Sequence, residues 1–89
     1  MAVLNKSLIA QLRRESLLMR FSNKVRRARE LAGLTQVQLA EELKEHQASI
    51  SRVERIRSSD NLPLATCRKY AKYFGVRIEE LFPESRESR

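Results

Sequence analysis

Residues 35–54 read TQVQLAEELKEHQASISRVE. Thr35 suits the position before a helix, and Gln38, three residues on, completes a capping box by reaching back to the threonine N–H. A helix is therefore predicted from Gln36 to about Lys44, with Val37, Leu39, Ala40 and Leu43 as its apolar stripe and Glu41 and Glu42 outward. The chain turns near His46, and a further helix over Gln47–Ile56 buries Ile50 and Val53. Two uncharged amides, Gln36 and Gln47, each open one of these helices in a chain otherwise rich in arginine.

The neighbouring segments repeat the pattern. Over Asn23–Ala32, Val25, Ala28 and Ala32 share one face, Lys24, Arg26, Arg27 and Glu30 turn away, and Gly33 is placed to end the helix. Downstream, RSSDN is a polar loop, Pro63 opens a helix with Leu64, Cys67, Tyr70, Ala71 and Phe74 on its inner face, and Gly75 closes it. VRIEELF then supplies one more short helix, with Val76, Ile78, Leu81 and Phe82 inward, before Pro83. With two glycines, two prolines and no strand-like alternation, the expected fold is all-α: a compact five-helix domain over residues 22–82. An amphipathic helical extension precedes it over 1–21, and a polar tail follows over 83–89. In the extension Leu4, Leu8 and Leu12 recur every four residues, and Leu17, Phe21 and Val25 continue that interval, giving either a separate helix or a lengthening of the next one.

Eighty-nine residues close one small core, too little for a large enzyme with a deep cleft. The formal net charge of +7 is uneven. Residues 1–34 hold eight basic side chains against Glu15 and Glu30. Such a surface attracts polyanions, nucleic acid first and an acidic membrane second. No apolar run reaches the roughly 18 residues of a membrane span. Lys6, Arg13 and Arg14 interrupt the N-terminus, which does not resemble a secretory signal, although its Arg-rich, Ser-containing character has something of an organelle transit peptide. Cys67 reads as a small buried hydrophobe. With His46 it makes too few soft ligands for zinc, so no metal or cofactor is expected, and a reducing cytoplasm, in association with the nucleoid, fits best. His46 stands in a turn with no nucleophile or carboxylate pair around it, a poor basis for catalysis.

Across residues 21–82, through VRRARELAGLTQVQLAEEL, QASISRVE and LATCRKYAKYFGVRIEELF, the sequence resembles the lambda-repressor-like helix-turn-helix family, also called the Cro or xenobiotic-response-element type. The resemblance implies that one helix reads DNA in the major groove while the preceding helix braces it on the backbone. Gln47, Ala48, Ser49 and Arg52 would then face base edges, with Ser51 close by, and Gln36 would bond a phosphate and steady Gln47. An amide pairs bidentately with adenine, a guanidinium suits the N7 and O6 of guanine, and the Ala48 methyl suits that of thymine. Thr35, Arg55, Arg57, Ser58 and Asn61 are the further phosphate candidates, alongside Ser59; for the loop residues a purely solvated role is the alternative. Arg29 and Glu54 match a family ion pair that sets the angle between two helices.

Two departures stand out. Lys44 and Glu45 occupy a turn where the family usually has glycine and an apolar residue, so a left-handed position there is relieved or tolerated at about 1 kcal/mol. Ile56 replaces a usual glycine and the following loop is about two residues longer, so the reading helix has room to run on. The expected function is a sequence-specific transcriptional regulator, a repressor in most such families, binding a palindromic operator in double-stranded DNA as a homodimer. The alternative is an antitoxin-like module whose residues 1–21 bind a toxin or other protein while it regulates its own operon. The leucines of that segment have four possible uses: its own core, a second copy, another protein or a membrane surface.

Overall fold

In a computed structural model of the chain, residues 5–16, 23–56 and 62–82 are described. They form six helices: α1 (Lys6–Ser16), α2 (Val25–Leu31), α3 (Gln36–Leu43), α4 (Gln47–Arg55), α5 (Leu64–Phe74) and α6 (Ile78–Leu81). There is no strand among the described residues, and no helix there is long and apolar enough to cross a membrane.

The core is the sum of the inward stripes. Val25 and Ala28 of α2, Leu39, Ala40 and Leu43 of α3, Ile50 and Val53 of α4, and Cys67, Tyr70, Ala71 and Phe74 of α5 close on Val76, Ile78, Leu81 and Phe82. Leu8 and Leu12 of α1 belong to the same cluster, and Leu12 is fully buried. Helix α1 packs on α2 and α6, Asn5 caps it by accepting the Leu8 N–H through Oδ1 at 3.0 Å, and the Asn5 N–H donates to the Gly75 carbonyl. The two described leucines of the extension are thus occupied within their own chain; Leu4, Leu17 and Phe21 lie outside the described residues.

Three helices end in the same hydrogen-bond pattern. At Gly33, Lys44 and Gly75 the chain enters the left-handed region with φ of 75°, 57° and 69°. In each case that residue's N–H donates three residues back and the next N–H five residues back: Gly33 to Glu30 and Leu34 to Arg29, Lys44 to Glu41 and Glu45 to Ala40, Gly75 to Lys72 and Val76 to Ala71. This is the Schellman arrangement, which satisfies the last carbonyls of a helix. Lys44 therefore adopts the same left-handed helix end as Gly33 and Gly75, with a side chain that makes it costlier than glycine would.

Several expectations need correction. Lys24, placed outward by the periodicity, is buried; it precedes α2, and its N–H donates to the Leu81 carbonyl at 2.6 Å. Ala32, placed inward, is exposed where α2 ends. Val37 is half exposed, because at 100° per residue it lies about 110° round α3 from the middle of the arc formed by Leu39, Ala40 and Leu43. Nor does α4 run on. It stops at Arg55, and Ile56 is extended, with φ −76° and ψ 127°.

Candidate nucleic-acid interface

Helices α3 and α4 begin at their glutamines. Thr35 Oγ1 accepts from the Gln38 N–H at 3.1 Å and Gln38 Oε1 accepts from the Thr35 N–H at 2.8 Å, so the box closes on both sides. His46 precedes α4 in extended conformation without a side-chain cap. Gln36 thereby sits at the first position of α3 and Gln47 at the first position of α4, and their amides meet: Gln47 Nε2 donates to Gln36 Oε1 at 3.1 Å.

Behind them stands the Arg29–Glu54 pair, at 12% and 4% side-chain exposure. Arg29 Nε donates to Glu54 Oε2 at 2.6 Å and its Nη2 to Oε1 at 3.3 Å. Its Nη1 donates to the Leu34 carbonyl at 2.8 Å. Gln36 Nε2 also donates to Glu54 Oε1, at 3.0 Å. An ionised carboxylate accepts only, so the glutamine must turn its nitrogen toward Glu54 and its oxygen away. That oxygen requires a donor, which orients Gln47 in turn. A buried carboxylate in the last turn of α4 thus decides which way the exposed amide at the start of α4 points.

The remaining candidates are spread round α4. At 100° per residue, Ala48, Arg52 and Arg55 fall within about 60° of one another on the side opposite Ile50 and Val53, and all three are exposed. Ser49 flanks them on the α5 side, lining with Arg52, Glu45 and Tyr70 a hollow of about 380 Å³. Ser51 and Arg55 flank the other side, sharing a groove of about 330 Å³ with Gln36, Glu54, Arg29 and Arg26. Arg57, Ser58, Ser59 and Asn61 lie outside the described residues.

Asn23 escaped the sequence reading as a functional residue. Buried at 8% exposure, it donates through Nδ2 to the Val53 carbonyl at 2.9 Å and to that of Ile56, and its Oδ1 accepts the Val25 N–H at 3.1 Å. One amide thus closes the end of α4 and opens α2. A polar residue just before a helix is a legible capping signal; its grip on α4 is a long-range contact that no local pattern carries. Arg13 and Glu80 were likewise unforeseen. The guanidinium holds the buried carboxylate at 2.7 to 3.1 Å, fastening α1 to α6, and this hydrogen bond raises the Arg13 pKa. Burial pushes the Tyr70 phenol up to about 12, with the Glu45 and Glu54 carboxylates adding to it. Among the described residues no group of three or more His, Cys, Asp or Glu side chains is placed to hold a metal ion.

The family model described as helix-turn-helix, of the lambda-repressor-like type, matches residues 25–81. The chain belongs to this family. It is a family of DNA-binding transcription regulators, and the match covers α2 to α6 while leaving α1 outside. No curated protein and no solved structure matches the chain.

Proposed function

We propose that this helix-turn-helix protein is a sequence-specific regulator, a repressor, that lays α4 in the major groove of double-stranded DNA and reads adenine with Gln47. The observation that carries this reading is the oriented amide. One Nε2 proton of Gln47 is committed to Gln36, which leaves its second proton for adenine N7 and its oxygen for the N6 amino group. Arg52 and Ala48 complete the outward face, as donors to guanine and a methyl surface for thymine, with Ser49 at its edge. Gln36, Thr35 and Arg55 hold phosphates beside them, joined by Arg57, Ser58 and Asn61 from the following loop.

A helix of nine residues meets only a few base pairs, so selective occupancy calls for a homodimer on a palindromic operator, the two reading helices about one duplex turn apart. The basic balance and the reading face favour the nucleoid of a cytoplasm as the place of action. Within α1, a toxin or other partner would meet the outer face, since Leu8 and Leu12 are committed to the core. Selection of binding sites from random duplex DNA, with the protein-to-duplex ratio of the complex measured in solution, tests the proposal. A recovered inverted repeat bound by two chains supports it. Recovery of no preferred sequence contradicts it.

A further inference from the structure

The groove between α2 and α4 contains a cation that the reading face does not use. Arg26 of α2 and Arg55 of α4 both line it, together with Ser51 and Gln36. The carboxylate in this groove, Glu54, is already matched by Arg29 and Gln36, so it neutralises neither of the two outer guanidinium groups. Arg55 is exposed and has no partner among the described residues. Arg26 is 71% exposed, and its Nε rests 3.2 Å from Glu30 Oε2. Glu30 would not be stranded by its departure, because Arg27 Nη1 stands 3.6 Å from the other oxygen.

We propose that this groove seats one backbone phosphate of the duplex between Arg26 and Arg55, and that Glu30 holds Arg26 back until the duplex arrives. The inference rests on the DNA-binding reading above. Guanidinium groups on two different helices approach a phosphate from two sides, and each offers paired N–H donors matched to its oxygens. The exposed Arg26–Glu30 pair is weak enough to be exchanged for a phosphate. The seat clamps α2 and α4 to the same strand and adds affinity that does not depend on base sequence.

The test is equilibrium binding of the full chain to the selected operator and to an unrelated duplex of equal length, over a range of salt concentrations. Arg26→Gln is expected to lower the slope of log affinity against log salt by about 1 on both duplexes, with the base preference retained. Glu30→Gln is expected to raise affinity several-fold on both, and to raise it no more than Glu41→Gln once Arg26→Gln is also present. An unchanged slope in Arg26→Gln overturns the phosphate seat while leaving the reading helix intact. An equal gain from Glu30→Gln with and without Arg26 overturns the restraint by Glu30. Failure of the unsubstituted chain to bind either duplex overturns the DNA-binding reading, and the seat with it.

Discussion

Gln47 Nε2 donates to Gln36 Oε1 at 3.1 Å, so the two side chains that open α3 and α4 act as one unit. The direction of that bond is imposed by Glu54, which accepts from Gln36 and from Arg29 and can donate to neither. The exposed Gln47 amide is thus steadied from the interior through a chain of four residues.

Glu54→Gln should disturb both ends of this chain. A neutral amide leaves Arg29 buried without its counter-charge, and stability is expected to fall by about 3 kcal/mol in denaturant unfolding. The new amide also gives Gln36 a donor to face, removing the reason for its orientation, so discrimination at the adenine position should weaken even where the protein remains folded. Loss of stability with unaltered base preference would show that Gln47 needs no help from Glu54.

Lys44→Gly should stabilise the protein. Lys44 holds φ at 57° in the same hydrogen-bond pattern that Gly33 and Gly75 adopt without a side-chain penalty. A gain of about 1 kcal/mol is expected, seen as a rise of several degrees in the thermal midpoint for a chain of this size. Operator preference should be unaffected, because Lys44 lies in the turn and not on the outward face of α4.

Leu12→Ala tests whether α1 belongs to the fold. Leu12 is fully buried among core residues, and truncation to alanine is expected to cost about 2 to 5 kcal/mol. A cost near zero in urea unfolding would mean that α1 is detached in solution. The neighbouring exposed Ala10 offers a control position, where substitution by serine should be nearly neutral.

Tyr70 gives stability a dependence on alkaline pH. Its folded pKa is raised to about 12 from an ordinary 10.0, so below pH 10 both states are protonated and its full contribution is present. Between pH 10 and 12 the unfolded chain loses the proton first, and stability should decline by roughly 3 kcal/mol across that window. Unfolding free energies measured from pH 8 upward should show this decline, and Tyr70→Phe should flatten it.

How much of this was legible in the sequence differed with the kind of signal. The capping box at Thr35 and Gln38, the inner faces of α4 and α5, and the ends at Gly33 and Gly75 follow from spacings of three to seven residues, which helical geometry maps directly into space. Arg29 and Glu54 were legible only because the resemblance joined two positions that no local rule connects. Asn23 on α4 and Arg13 on Glu80 are contacts of the same long-range kind without a pattern to announce them, since a polar residue at a helix end satisfies several local rules equally well. The errors at Lys24, just before α2, and at Val37, in the first turn of α3, arose at helix starts, where apolar periodicity has too few residues to fix its phase.

Gln47→Ala, measured for affinity on the selected operator and on duplexes carrying each single base-pair change, tests the central claim most directly. The expected result is a loss of about 1 to 3 kcal/mol on the operator, with discrimination relaxed at one position in each half-site and the salt slope unchanged. An operator affinity and a base preference equal to those of the unsubstituted protein would contradict the assignment of α4 as the reading helix and of Gln47 as its reader.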